Sequence, residues 1–309
     1  MNDYAVVIEN FVKYYDGRRV LDGINLKVPR GCIYGLLGRN GSGKTTIIRI
    51  LMGLDFATRG KTYLLGTESE KLTPQIKGRI GYVAEGHNLI QDYTVGRLTK
   101  LCRELSLKWN NEIFTSLVEK FRLPMNRKVR QLSIGMRAQL NLALALAPDA
   151  ELLLLDDPTL GLDTVARREF LELAVDILQK DGRSIVFCSH ILGDVERIAD
   201  RIGILAGGKL AVDCGLEELK KRIKKLRLTF EKEAPISLHL TEIINQQIDG
   251  REMVLTIANY NGQKQAIIDT FRPQTCTEIP MSLEDIFVEC TRPVSITETA
   301  NERRPACLP

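Results

Sequence analysis

Gly38-Arg39-Asn40-Gly41-Ser42-Gly43-Lys44-Thr45 decides how the whole chain is read. It fits the pattern G-x-x-x-x-G-K-[ST], directly behind the β-rich run Cys32 to Leu37 and directly before Thr46 to Leu54, where Ile47, Ile50, Leu51 and Leu54 recur at helical spacing. Strand, glycine-rich turn and helix in that order are the setting in which such a loop binds phosphate. The glycines let backbone N–H groups turn toward phosphate oxygens, and the helix start offers the positive end of its dipole to the anion. Lys44 is placed for the β- and γ-phosphates, Thr45 offers its hydroxyl to a magnesium ion, and Thr46 adds a donor on the α-phosphate side. The stretch predicts a nucleoside triphosphate site.

Before this loop, β-rich runs at Tyr4 to Ile8 and Leu26 to Val28 are separated by the turn residues Asp16-Gly17, with Pro29-Arg30-Gly31 before Cys32. Beyond it, residues from about Leu89 to Ala147 change character, with helical patterns in Arg97 to Leu105 and Glu112 to Phe121, and read as a helical insertion. Leu152 to Leu155 and Ser184 to Cys188 are continuous apolar runs, as expected of parallel strands buried on both faces, and Val165 to Gln179 is a helix crossing between them. The fold class is therefore α/β. Leu152 to Leu155 ends in Asp156, which lies at the carboxyl end of its strand, where ligands of such sheets gather, and is expected to hold magnesium. Asp157 follows as a carboxylate for the attacking water, and His190 ends the neighbouring strand as a γ-phosphate contact.

The 309 residues suggest about two domains at roughly 150 residues each. The charge run Lys220-Lys221-Arg222 with Lys224-Lys225 marks a boundary near residue 220. New strand-like runs follow at Leu226 to Phe230 and Met253 to Ala258, and a helix at Leu283 to Cys290 is expected to close a small second domain. The tail 292–309, with Pro293, Pro305 and Pro309 and few apolar residues, reads as disordered. A net charge of +4 gives no electrostatic case for a nucleic-acid partner. No apolar run approaches the ~20 residues that span a bilayer, and the first residues lack the pattern of a secretory signal, so a cytoplasmic chain is expected. Seven cysteines without paired metal spacing read as reduced thiols packed as small apolar groups.

The ordered set Gly38 to Thr46, Leu132-Ser133-Ile134-Gly135-Met136, Leu152 to Thr159, Gly161-Leu162-Asp163 and His190 resembles the ATP-binding cassette (ABC) family, specifically the nucleotide-binding subunits of ABC transporters. The resemblance runs from residue 3 to about 220. Residues 221 to 290, ending in Ser282-Leu283-Glu284-Asp285-Ile286-Phe287, resemble the small C-terminal domain of some exporter-type cassettes. It implies a RecA-like P-loop NTPase core with an antiparallel β subdomain over residues 1–220, a helical subdomain at about 88–148, and a small α+β domain at 221–291. It also implies ATP and Mg2+ as ligands, with Gly38, Arg39, Asn40, Gly41, Ser42, Gly43, Lys44, Thr45 and Thr46 around the phosphates. Tyr15 takes the position that stacks on adenine, while Ser133 and Gly135 belong to a signature loop that contacts the γ-phosphate bound by a second cassette. Asp163 then lies across a head-to-tail interface between two cassettes, identical or different. The implied partner is a separately encoded membrane permease, met through roughly His87 to Val95, with the cassette on the inner face of the membrane and transport directed outward.

Three departures from the family pattern carry consequences. Glu85 stands where glutamine is usual, at the metal and beside the permease contact. Ile134 and Met136 replace a glycine and a glutamine of the signature, and β-branched Ile134 requires negative φ there. Asp157 replaces the usual glutamate, withdrawing the carboxylate by one methylene from the water it polarises. A misplacement of ~1 Å costs on the order of 100-fold, so slow but real ATP hydrolysis is expected. The competing reading is a soluble ATP-dependent clamp with very slow turnover. Relatives that act on ribosomes or DNA carry two cassettes or a long coiled-coil insertion, and neither is present here.

Overall fold

The computed structural model describes residues 3–235, 242–260 and 264–291. In chain order the elements are β1 (Tyr4–Tyr15), β2 (Arg18–Pro29), β3 (Ile33–Gly38), α1 (Lys44–Leu51), β4 (Arg59–Leu64), β5 (Thr67–Glu68), α2 (Pro74–Lys77) and β6 (Ile80–Val83). The helical segment α3 (Val95–Leu105), α4 (Asn111–Lys120) and α5 (Ile134–Leu146) precedes β7 (Leu152–Asp156), α6 (Thr164–Asp181), β8 (Ser184–Ser189), α7 (Leu192–Ile198), β9 (Arg201–Ala206) and β10 (Lys209–Gly215). After α8 (Leu216–Arg222) come β11 (Lys224–Thr229), β12 (Ile243–Asp249), β13 (Glu252–Ile257), α9 (Lys264–Phe271), β14 (Thr275–Ile279) and α10 (Leu283–Thr291).

A six-stranded sheet of order β10-β9-β3-β8-β7-β6 forms the centre, with every pairing parallel except β9 to β10. β3, β7 and β8 are buried along their whole length, as their unbroken apolar sequences require. Side chains alternate across the sheet and so feed two cores. Tyr34, Leu36, Leu152, Leu154 and Val186 pack toward α1 and a second sheet of order β2-β1-β4-β5. Ile33, Leu37, Leu153, Leu155, Ile185 and Phe187 pack on the other face, toward the helical segment with α6 and α7. Gly35 permits close approach, since a Cβ there would lie 2.2 Å from Val195 Cγ1 of α7.

The Asp16-Gly17 turn takes positive φ at both residues, the geometry of a tight hairpin between β1 and β2. β1 runs much further than the expected Tyr4 to Ile8. Register shifts between Ile8 and Phe11, with Asn10 at φ 46°, interrupt the alternation on which sequence recognition depends. A third antiparallel sheet, β12-β13-β11-β14, has its own core of Leu226, Leu228, Met253, Leu255, Ile257 and Ile267. The helix expected to close that unit does not pack there alone. Leu283, Ile286 and Cys290 of α10 join the main core against α7 and β9, while Glu289 bonds Asn245 of β12. The tail 292–309 lies outside the described residues.

Candidate functional site

β3, β6, β7 and β8 are parallel, so Gly38, Val83, Asp156 and Ser189 end at one edge of the sheet, and the loops leaving them converge there. The phosphate loop leaves β3 at Gly38 and enters α1 at Lys44. Gly43 sits at the helix start with φ 103°, and a Cβ there would lie 2.7 Å from Leu21 Cδ2, so only glycine fits the loop's closing position. The buried Lys44 ammonium donates to the Gly38 carbonyl at 2.9 Å, closing the loop on itself. Arg39, Asn40 and Gly41 form the exposed crest, and Ser42 N donates to the Arg39 carbonyl. Thr45 and Thr46 occupy the first turn of α1.

Asp156 closes β7 fully buried, and neither of its carboxylate oxygens has a hydrogen-bond partner of ordinary geometry. Burial pushes its pKa up to about 6. The Thr45 hydroxyl and Lys44 favour the charged form, while Asp157 and Glu85 oppose it. An orphaned carboxylate beside a hydroxyl at a phosphate loop is a set of hard oxygen donors with unspent capacity, which suits a magnesium ion that takes its remaining ligands from phosphate and water. Among the described residues no cluster of three or more His, Cys, Asp or Glu side chains forms a metal cage. Glu85, in a short exposed turn after β6, is close enough to act on Asp156 electrostatically.

Asp157 follows with φ 43°, a left-handed conformation that aspartate tolerates better than most residues. Its backbone N–H bonds the Cys188 carbonyl of β8 at 2.9 Å. Its Oδ1 accepts from the His190 backbone N–H at 3.1 Å and lies 2.7 Å from His190 Nδ1. The two residues therefore form one unit. A neutral His190 in this contact carries its proton on Nδ1, leaving Nε2 free of a proton. The same turn is braced by Thr159, whose buried hydroxyl donates to Asp194 of α7 at 2.7 Å.

Tyr15 ends β1 half exposed. Its hydroxyl bonds Asp55 Oδ2, and Lys13 Nζ stands 4.5 Å from its ring centroid. Burial and Asp55 raise the Tyr15 pKa, while Lys13 and the Thr46 hydroxyl oppose the rise. Sequence reasoning missed Lys13 and Asp55. The spacing of Lys13 and Tyr15 put them on one strand face, but Asp55 lies in the loop after α1 and carried no local signal.

Ser133, Gly135 and Asp163 are not assembled with these residues. Ser133 caps α5 by accepting from Met136 N at 3.1 Å, and the nearest surroundings of Gly135 outside its own turn are Leu162 and Ala166. Ile134 keeps helical backbone, as its β-branch requires, and its side chain is exposed. Asp163 caps α6, its Oδ1 accepting from Val165 N and Ala166 N at 2.9 Å.

A strand-to-helix phosphate loop, a carboxylate at the end of a neighbouring parallel strand and an inserted helical layer define a P-loop nucleoside triphosphatase with a helical subdomain. The chain belongs to the family of ABC transporter ATP-binding proteins and is an ATPase of that type: the ABC transporter family model matches residues 21–160, and a full-length relative supports it. That relative, the ABC transporter ATP-binding protein YtrB of Bacillus subtilis (strain 168), is 32% identical over 92% of this chain and 97% of its own length. The bacitracin transport ATP-binding protein BcrA of Bacillus licheniformis is 29% identical, over 91% of this chain and 95% of its own. Among solved structures, the dimeric post-hydrolysis state of the ATP-binding cassette MJ0796 bound to ADP and Pi is similar at TM-score 0.61 and 25% identity, covering 68% of this chain and 98% of that one. An ATP-binding subunit of an ABC transporter gives TM-score 0.64 at 24% identity, over 70% and 92%.

Proposed function

We propose that this chain drives a separate membrane permease by ATP-dependent head-to-tail dimerisation of two cassettes, and that transport is outward. The observation that carries the reading is the separation of the two halves of the site. The phosphate loop, Asp156, Asp157 and His190 gather at one sheet edge, whereas Ser133 and Gly135 open a different helix, whose first turn lies against Gly161, Leu162 and Ala166 with Ile134 exposed. A second cassette supplying its own Ser133 turn would complete each site, and Val165 and Leu160, both exposed near that turn, favour such a contact. Among the described residues no helix is long and apolar enough to cross a membrane, which is in keeping with a permease that supplies the membrane-spanning part. Outward transport rests on relatives named for bacitracin transport and for Nod factor export, the latter 30% identical over 93% of this chain. The division into a cassette over 1–220, with its helical subdomain at about 88–148, and a small domain at 221–291 belongs to the same reading.

In the proposed reaction, backbone donors of Gly38 to Gly43 and the Lys44 ammonium hold the β- and γ-phosphates, with Tyr15 against the base. Thr45 and Asp156, with Glu85 at the outer edge, would hold Mg2+, which supplies neutralisation of phosphate charge. Asp157 Oδ1 orients His190 through Nδ1, so that His190 Nε2 donates to a γ-phosphate oxygen in the imidazolium form and accepts from water beside it in the neutral form, and the second carboxylate oxygen of Asp157 is the one left to polarise water. Sharing one short carboxylate between two tasks fits slow turnover. Purification of the full chain from its native membranes in mild detergent, with and without ATP, tests the transport reading. A multi-spanning protein recovered in stoichiometric amount supports it, and recovery of soluble partners alone replaces it with an ATP-dependent clamp.

A further inference from the structure

Lys13 is 7% exposed, a costly place for an ammonium unless it is paired. Its Nζ bonds Asp55 Oδ1 and the Phe56 carbonyl, each at 2.7 Å, and lies over the Tyr15 ring. Asp55 divides its carboxylate: Oδ1 takes Lys13 and the Phe56 N–H, and Oδ2 takes the Tyr15 hydroxyl. The loop carrying Asp55 is in turn stitched to β1, with Thr58 N donating to the Val12 carbonyl and Tyr14 N donating to Thr58 Oγ1. One face of the ring and its hydroxyl are thus held, although Tyr15 itself is 41% exposed. Packing alone does not need this arrangement, because an apolar pair of similar volume avoids the desolvation cost.

We propose that Lys13 and Asp55 are positioning residues for the nucleotide base, clamping one face and the hydroxyl of Tyr15 so that its other face is preset to stack on the purine. This rests on the reading of Tyr15 as the base platform. An unclamped tyrosine at a strand end samples several rotamers and must be ordered when nucleotide binds, so the clamp removes an ordering cost from every binding event. Stacking accepts any base, so the contribution is the same for ATP and GTP and absent for a ligand that has phosphates and no base.

The test compares the affinities of the full chain for ATP, GTP and inorganic tripolyphosphate, each with magnesium, in Asp55→Asn, Lys13→Met and Tyr15→Ala. Asp55→Asn and Lys13→Met are each expected to weaken ATP and GTP about fivefold to tenfold while leaving tripolyphosphate within about twofold. In the Tyr15→Ala background Asp55→Asn adds no further loss. Equal weakening of tripolyphosphate would show damage to the phosphate loop and overturn the proposal, as would unchanged ATP affinity in both variants. If Tyr15→Ala itself leaves ATP and tripolyphosphate in their original ratio, the base platform is elsewhere and that reading falls as well. Loss in Tyr15→Ala without loss in Asp55→Asn or Lys13→Met removes only the clamp.

Discussion

Asp157 Oδ1 meets His190 twice, at the backbone N–H at 3.1 Å and at Nδ1 at 2.7 Å, and under the proposed function these contacts set what each residue does at the γ-phosphate. Asp157→Glu restores the missing methylene and is expected to raise steady-state ATP turnover by about tenfold or more, given the steep dependence of rate on placement. Turnover measured beside the parent checks this, and an unchanged or lower rate would mean that the short carboxylate is not what limits hydrolysis. Asp156 makes a prediction about stability. Its folded pKa of about 6 stands above its ordinary 3.8, so the folded chain binds the proton more tightly than the unfolded chain does. Its contribution therefore favours folding at low pH and is lost as pH rises from about 4 to about 6, by on the order of 3 kcal/mol, with no further change above that. Asp156→Asn should remove this part of the pH dependence in the nucleotide-free chain and raise its thermal midpoint at pH 7. Chemical denaturation of both chains across pH 4 to 7 measures the difference, and parallel curves would contradict the assignment.

At the scale of elements, the same Ser133 that is proposed to meet a second cassette also starts α5. Ser133→Ala should lower the stability of the isolated chain by about 1 kcal/mol through loss of the cap, and Ser133→Thr should retain most of it. Urea midpoints at constant slope check both, and a Ser133→Ala midpoint equal to the parent would show that α5 does not depend on that bond. The central strands and the phosphate loop were legible because their signals are local: unbroken apolar runs in β7 and β8, and glycine spacing beside Lys44. Asp156, Asp157 and His190 were each legible from their places at strand ends. Their pairing was not, because it depends on β7 and β8 lying side by side in register, with Asp156 opposite Cys188. The full extent of β1 was hidden by its bulges, and Asp55 by the 40 residues that separate it from Tyr15. Ser133 and Asp163 were legible as family positions, while their capping bonds follow from ordinary helix-start chemistry that the same residue types supply.

Across the whole molecule, α10 is the seam between the C-terminal sheet and the cassette. Its N–H at Leu283 reaches Glu196 of α7 at 3.4 Å, and Lys220 holds the same carboxylate at 3.1 Å. Leu283 and Ile286 are fully buried against the main core, and α7 begins only two residues after His190. The opposite anchor of α7 is the buried bond from Thr159 to Asp194, on the loop that follows Asp157. The helix is thus fixed at its start to the sheet edge that carries Asp157 and His190 and covered by the C-terminal unit along its side. Ile286→Ala would leave a cavity under α10 and cost about 2 to 5 kcal/mol, the usual range for removing a buried aliphatic side chain. If the C-terminal unit were an independent bead, that loss would stay within it, and the amides of α7 would exchange as in the parent. The packing predicts instead that amide exchange in residues 192–198 quickens in Ile286→Ala under native conditions, because α7 then loses the neighbour that shields it. Hydrogen exchange read peptide by peptide decides between the two. Faster exchange confined to the C-terminal sheet would separate the units, and faster exchange reaching α7 would place His190 within mechanical reach of the C-terminal domain.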